Sequence, residues 1–346
     1  MDSRTLHRES DEASEVLACA RLAVDPVLRT AVHSLPPAMR RIAAYHFGWE
    51  EADGTPAHGD AGKAIRPALV LAATRALGGP AEQAVNAAAA VELVHNFTLL
   101  HDDVIDRDRT RRHRPTAWSV FGSADAILAG DAMHSLALRL LTRDPHPASG
   151  PAAARLADCV IELCEGQQTD CAFERRSQVT LAECLAMAEA KTGALLGCAC
   201  ALGARYAGAD ADTVDAMDAF GRRTGLAFQL IDDLIGIWGD PETTGKPVGS
   251  DLAARKKSLP VVFALQSGTA AAEELAALYD GGRPLGEAEL RRAATAVEQA
   301  GGRDWAQAQA CDRMAAAMDH LARAVPDPAA AGDLLLLAEL VTRRSR

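Results

Sequence analysis

Aromatic residues are scarce. Phe, Tyr and Trp make up 4% of the 346 residues, although 49% of the chain is hydrophobic. The core of so long a chain must therefore be built mainly from Ala, Leu and Val. Basic residues are outnumbered, with 36 Lys and Arg against 47 Asp and Glu and a net charge of −11. That balance argues against a nucleic-acid partner, which needs a basic face, and leaves room only for local phosphate pockets. None of the eight cysteines forms a C-x-x-C pair, and none has the Cys/His spacing of a zinc site. They sit in apolar, helix-like surroundings, where a free thiol acts as a small hydrophobe. No apolar run approaches the roughly 20 residues of a membrane span. Residues 1–15 are charged and lack the apolar segment of a secretion signal, so a reducing cytoplasm is the expected location. No alternating pattern is long enough for a strand, and no tandem repeat of fixed period is present. The expectation is a frayed polar segment over 1–15, then a single all-α domain over 16–346.

What the chain does have is acid in pairs. His101-Asp102-Asp103-Val104-Ile105-Asp106 follows a helix-like run, Ala87 to Leu100, free of Gly and Pro. Positions three and four apart share a helix face, so Asp106 lies one turn beyond both Asp102 and Asp103. The spacing predicts three carboxylates crowded at one helix end, each raising the pKa of the others. A hard cation relieves such crowding, and magnesium takes one or two carboxylates together with phosphate oxygens and water. A second pair, Asp232-Asp233, closes the apolar run Gly225 to Ile231 about 130 positions later. Two such pairs suggest two walls of one cavity.

Single bases are scattered around these pairs: Arg111, Arg112, Lys191, Lys246 and Lys256. Bases of this kind neutralise phosphate oxygens that a metal leaves uncovered. Lys63 and Arg66 stand three apart at the start of an apolar helix, where they oppose the helix dipole unless an anion sits there. His95 is seven positions before Asp102, about two turns, and faces the same side. Gly130-Asp131, Gly166-Gln167 and Lys191-Thr192-Gly193 set polar residues inside apolar helices, which costs stability unless they are paired or used. Helices are expected over about 13–23, 26–46, 68–77, 81–100, 123–141, 152–169, 181–206 and 211–237, with an Ala/Leu-rich helical remainder from 259 to about 340.

In this order the motifs resemble the trans-isoprenyl diphosphate synthases, the polyprenyl synthetase family. The resemblance runs from about Gly62 to Pro260. It rests on Gly62-Lys63-x-x-Arg66-Pro67, Glu92-x-x-His95, Asp102-Asp103-x-x-Asp106 and Arg111-Arg112-x-x-Pro115-Thr116. Ala129-Gly130-Asp131, Gly166-Gln167, Lys191-Thr192, Phe228-Gln229-x-x-Asp232-Asp233, Gly245-Lys246, and Asp251 with Lys256 complete it. It implies an all-α bundle of antiparallel helices around a central cavity, a homodimer, and three Mg²⁺ ions holding an allylic diphosphate. Asp102, Asp106 and Asp232 would be the direct ligands, with Asp103 and Asp233 in support. Arg111, Lys191 and Lys256 would grip the allylic diphosphate, with Thr192, Gln229 and Lys246 nearby. Lys63, Arg66, His95 and Arg112 would hold isopentenyl diphosphate. Phe97, with Thr98 beside it, would form the floor that ends chain growth. An aromatic there, without an insertion in the first motif, resembles geranylgeranyl diphosphate synthases.

Three positions depart from the family pattern. Gly236 stands where the second motif usually ends in Asp, Ala64 where an Arg usually follows the first Lys, and Arg255 where a Gly usually precedes Lys256. Two other functions compete with the synthase. A class I terpene cyclase would share the acidic motifs but needs no isopentenyl diphosphate pocket. A non-catalytic subunit of a heteromeric synthase would be expected to lose the acids or bases that this chain keeps.

Overall fold

The computed structural model describes residues 3–57, 59, 62–239, 249–281 and 283–342, with side chains between 11 and 340. The chain is 77% helical, which makes the fold all-α, as its sequence indicates. Its residues group into two compact units. The first comprises 1–160, 198–218 and 322–337, and the second 161–197, 219–321 and 338–346.

In the first unit α1 (Ser3–His33), α3 (Ile65–Ala76) and α6 (Ser123–Thr142) pack with α4 (Val85–Ile105), and α2 (Pro37–His46) packs with α6. Residues Ala87 to Val91 of α4 are all fully buried. Their small side chains let neighbouring helices approach closely, which is how a core poor in aromatics still fills its volume. Gly130 of α6 shows this closeness, since a Cβ there would fall 2.4 Å from His101 Nε2. The expected break at Pro26 is absent, and α1 runs straight through it. Pro26 and Leu22, whose carbonyl loses its partner, both face outward, so water replaces the missing hydrogen bond. The helix already begins at Ser3, inside the polar N-terminal stretch.

The one sheet among the described residues is a hairpin of two-residue strands, β1 (Thr110–Arg111) and β2 (Arg114–Pro115), too short to leave an alternating pattern. A five-residue helix, α5 (Ala117–Phe121), follows it.

The second unit is built around α10 (Ala211–Trp238). Leu226, Leu230, Ile231 and Leu234 of α10 pack with Phe173, Cys184, Met187, Leu259, Val262 and Ala306. Ile237 joins a neighbouring cluster with Leu252, Val261, Leu275 and Val297. These contacts fix the roll of α10 and with it the direction of each aspartate it carries. α7 (Ser149–Arg175), α8 (Leu181–Ala188), α9 (Ala194–Tyr206), α11 (Ser250–Ala253) and α12 (Leu259–Leu265) precede α13 (Ala270–Asp280), α14 (Glu287–Gln299), α15 (Gly302–Ala324) and α16 (Gly332–Thr342).

Two sequence expectations need correction. The helical run Leu181–Tyr206 is long and apolar enough to cross a membrane, but 72% of its most apolar window is buried inside the protein, as in a core helix. All eight cysteines are free, yet Cys19, Cys164 and Cys311 are exposed and do not act as core residues.

Candidate functional site

At the end of α4 the three aspartates part company. Asp102 is half-buried and Asp106 exposed, while the Asp103 side chain is only 1% exposed. Residues four apart share a face, whereas Asp103 is turned by about 100° from Asp102. Arg111 Nε donates to Asp103 Oδ1 at 2.7 Å. The other oxygen, Oδ2, is buried and has no hydrogen-bond partner among the described residues. Burial pushes the Asp103 carboxyl up to about 6 despite the pull of Arg111. The crowding of three acids predicted from spacing is thus a crowding of two, with the third folded inward to anchor a base.

Arg112 and His113 form the turn of the hairpin, both with left-handed backbone, φ +50° and +60°. A two-residue turn of this hand normally uses Asn-Gly, because a side chain there is strained. Surrounding contacts hold it. Thr116 Oγ1 donates to the Asp108 carbonyl at 2.7 Å, and Tyr45 Oη donates to the Pro115 carbonyl at 2.8 Å. Arg114 stacks over the Tyr45 ring at 4.5 Å. The hairpin tip brings Arg112 against Gly62, where a Cβ would lie 2.5 Å from its guanidinium. Ala64, also left-handed at φ +55°, starts α3 and sets Arg66 in its first turn.

These bases converge electrically on two histidines. Burial, then Arg66 and Arg112, hold His95 well below its usual pKa. Burial, then Arg112 and Arg111, push His46 down to about 3. Three guanidinium groups bearing on two histidines kept neutral form a basic cluster of the kind that suits a diphosphate. His46 was missed in the sequence, where a lone histidine at a helix end carries no distinguishing signal. Lys63 is exposed beside this cluster.

Glu92 borders the same cluster. It accepts a hydrogen bond from Asn96 Nδ2 at 3.0 Å, and burial pushes its carboxyl up to about 7 against the pull of Arg66 and Asn96. A carboxyl raised on folding stabilises fully below its unfolded value and loses that contribution as pH rises through its folded value. Glu92→Gln is therefore expected to gain stability relative to the parent between pH 4.5 and about 7. The gain is at most about 3.5 kcal/mol, at about 1.4 kcal/mol per unit. Urea unfolding at several pH values checks this, and a difference that shrinks with rising pH refutes it.

Phe97, the expected chain-length floor, is 7% exposed. Its ring meets His101 edge-on at 5.2 Å and His134 at 5.3 Å. Thr98 beside it is half-buried and donates to the His95 carbonyl at 2.7 Å.

In the second unit, Glu189–Gly193 winds as one wide π-helical turn between α8 and α9, and this turn carries Lys191 and Thr192. Such turns recur at functional sites because they re-aim side chains within an otherwise regular helix. The turn presses on Gly166, where a Cβ would lie 2.6 Å from the Lys191 amide nitrogen. Lys191 Nζ pairs with Asp170 Oδ2 at 2.5 Å. Asp170 was overlooked in the sequence, although it stands four residues after Gly166 and so shares its face.

Thr192 Oγ1 donates to Gln229 Oε1 at 2.7 Å, and Gln229 Nε2 donates to Asp233 Oδ1 at 2.8 Å. The Leu259 amide donates to Asp233 Oδ2 at 2.9 Å, and Lys256 Nζ lies 3.8 Å from Asp233 Oδ1. Burial raises the Asp233 carboxyl to about 6, with Lys256 pulling the other way. Burial also favours the neutral amine of Lys256, but Asp233, Asp251, Asp170 and Asp232 outweigh it and raise its pKa. Asp232 is exposed and Asp233 buried. Both motifs thus share one pattern, an open aspartate followed by a buried one tied to a base. Lys246 lies outside the described residues.

Among the described residues no three Asp, Glu, His or Cys side chains converge into a ready-made metal site. Open carboxylates in ones and twos suit a hard cation that draws its remaining ligands from water and phosphate, not one held in an all-protein cage.

Comparison with known proteins agrees with this geometry. The sequence model described as polyprenyl synthetase matches residues 57–297. The geranylgeranyl diphosphate synthase of Mycobacterium tuberculosis is 49% identical over 336 residues, 97% of this chain and 95% of that protein. The (2E,6E)-farnesyl diphosphate synthase of the same organism is 47% identical, over 95% of this chain and 92% of that one. The polyprenyl synthetase structure from Streptomyces coelicolor A3(2) superposes with a TM-score of 0.91 at 45% identity, covering 95% of this chain and 99% of that one. The polyprenyl synthase of Caulobacter crescentus CB15, solved with calcium and isoprenyl diphosphate, has a TM-score of 0.83 at 29% identity, covering 96% and 98%. A helical fold carrying both acidic motifs, together with relatives matched along nearly their whole length, leads to one assignment: this chain belongs to the polyprenyl synthetase family, the trans-isoprenyl diphosphate synthases, and is a prenyltransferase of the short-chain type.

Proposed function

We propose that the chain condenses isopentenyl diphosphate with dimethylallyl, geranyl or farnesyl diphosphate, in the presence of Mg²⁺, to give geranylgeranyl diphosphate. The observation that carries this reading is a second basic cluster in the first unit, with Arg66 in the first turn of α3, Arg112 packed against Gly62, and neutral His95 under the influence of both. A terpene cyclase ionises one diphosphate and has no use for a second diphosphate pocket. The high identity to a geranylgeranyl diphosphate synthase, and Phe97 five positions before Asp102, support the twenty-carbon product; the farnesyl synthase at similar identity makes product length the point to test.

Each residue then has a task. Asp102, Asp106 and Asp232 present open carboxylates to divalent ions, and Asp103 and Asp233 hold the neighbouring bases in place. When bound, the ions would polarise the leaving diphosphate and neutralise its developing charge. Lys191 and Lys256 meet the allylic diphosphate. So does Arg111, whose guanidinium keeps donors beyond the one given to Asp103. Thr192 and Gln229 brace this set, with Lys246 assigned to it by its motif alone. Lys63, Arg66, Arg112 and neutral His95 hold isopentenyl diphosphate while its double bond attacks the allylic cation. The proton lost afterwards passes to the departing diphosphate. Apolar surroundings keep water from quenching the cation. We further read the protein as a cytoplasmic homodimer. The free thiols suit a reducing compartment, and the exposed Val120, Ile127 and Leu128 suit a self-association face.

The purified chain, incubated with Mg²⁺, labelled isopentenyl diphosphate and each primer in turn, is expected to yield a twenty-carbon alcohol after dephosphorylation. A cyclic hydrocarbon formed from farnesyl diphosphate alone would establish the cyclase instead. Phe97→Ala is expected to shift products to longer chains. An unchanged chromatogram would remove Phe97 as the floor.

A further inference from the structure

Gly236 breaks the spelling of the second acidic motif, and the structure shows what uses the space. A Cβ built on Gly236 would lie 2.5 Å from Asp251 Cγ and within 2.7 Å of both its carboxylate oxygens. No other atom stands as near, so the whole carboxyl group of Asp251 rests on the bare α10 backbone. Ser250 Oγ donates to the Gly236 carbonyl at 3.4 Å and draws the two segments together. From this seat Asp251 Oδ2 lies 3.8 Å from Lys256 Nζ, as far as Asp233 Oδ1 lies from the same atom. The turn between them is built for that return. Arg255 adopts left-handed backbone at φ +50°, and the Lys256 amide donates to the Asp251 carbonyl at 2.8 Å. The ammonium of Lys256 thus sits between one carboxylate from α10 and one from its own loop.

We infer that Gly236 is a seat and not a lost metal carboxylate: it admits Asp251, which with Asp233 positions Lys256 for the allylic diphosphate. The inference rests on the reading of Lys256 given above. Its consequence runs against the motif. Asp at 236 restores the family spelling and displaces Asp251, so it harms the enzyme. The fold is not at stake, because what a new side chain meets is the movable end of another side chain. Asp251 is a positioning residue, acting through Lys256.

The test compares Gly236→Ala, Gly236→Asp, Asp251→Asn and the double variant Gly236→Ala/Asp251→Asn. Steady-state kinetics are measured with each substrate varied, and melting is followed by circular dichroism. Asp251→Asn adds no bulk and is expected to raise the allylic KM at least about fivefold, with the isopentenyl diphosphate KM within about twofold of the parent and melting unchanged. Gly236→Asp is expected to lose at least about tenfold in allylic kcat/KM. The double variant is expected to be no worse than its worse single, because both substitutions remove the same contact. Calorimetric titration with Mg²⁺ and inorganic pyrophosphate is expected to show weaker binding in the same order, and this readout needs no turnover. Gly236→Asp equal to or better than the parent, or additive losses in the double variant, would overturn the inference. A parent that binds pyrophosphate but never consumes isopentenyl diphosphate would overturn the functional reading instead, leaving the pyrophosphate titration to judge Asp251.

Discussion

Asp102→Ala is expected to lower kcat by about two to three orders of magnitude without lowering the melting midpoint. The two effects have separate causes. Asp102 is partly open and shares a helix face with Asp106, four residues on. Both lie at the C-terminal end of α4, where the helix dipole already disfavours negative charge. Removing one of two like charges there relieves about 0.3–1 kcal/mol of repulsion. Catalysis feels the opposite sign. Groups that stabilise developing charge on a leaving diphosphate supply much of the rate, and the loss of one typically costs a factor of a hundred or more. Saturating Mg²⁺ is not expected to restore the rate, since the missing group is a ligand and not an affinity threshold. Activity within tenfold of the parent, or a clear fall in melting, would show that Asp102 is structural.

Asp233→Ala is expected to fail in the other way, losing stability and activity together. Its buried carboxylate accepts from Gln229 and from the Leu259 amide and lies 3.8 Å from the partly exposed Lys256. Leu259 opens α12, whose N-cap residue, Ser258, makes no side-chain cap. Asp233 thus caps that helix from a distance, and its removal leaves the buried Leu259 amide without its acceptor and Lys256 with Asp251 as its near carboxylate. Leaving a buried donor without its acceptor costs about 1–3 kcal/mol. Urea denaturation followed by circular dichroism measures the loss. Asp233→Asn, which keeps the shape and one acceptor, is expected to recover part of the stability but not the rate. Full stability in the alanine variant would mean that the capping contact carries no weight.

Contrast between the two members of each acid pair is the part of the site least legible in the sequence. The motifs themselves are local and ordered, so Asp102-Asp103-x-x-Asp106, Asp232-Asp233 and the bases between them can be read directly. Which aspartate turns inward cannot. His95 lies seven positions before Asp102 and Asn96 seven before Asp103, so the polar side of α4 does not tell which of the two aspartates turns inward. The roll of the helix is set by its packing with α3 and α6, which the residues of α4 alone do not fix. His46 and Asp170 join their clusters through tertiary packing, and a single His or Asp has no spacing to announce it. The departures Ala64 and Arg255 look like lapses from a pattern until both prove to sit at left-handed backbone, where the strain is held by the surrounding structure. The hairpin at Arg112-His113 escapes notice for a similar reason, since its turn residues are the reverse of what such turns prefer.

The wide turn at Glu189–Gly193 has a consequence for how this protein tolerates change in length. A π-helical turn holds one residue more than an α-helical turn spanning the same rise. Deleting a single residue there lets the helix close into ordinary winding while everything downstream stays in register, so the chain still folds. Lys191 and Thr192 then swing to new azimuths, away from Asp170 and Gln229. An indel that elsewhere in a buried helix would be lethal to folding becomes here a silent lesion for the architecture and a fatal one for turnover.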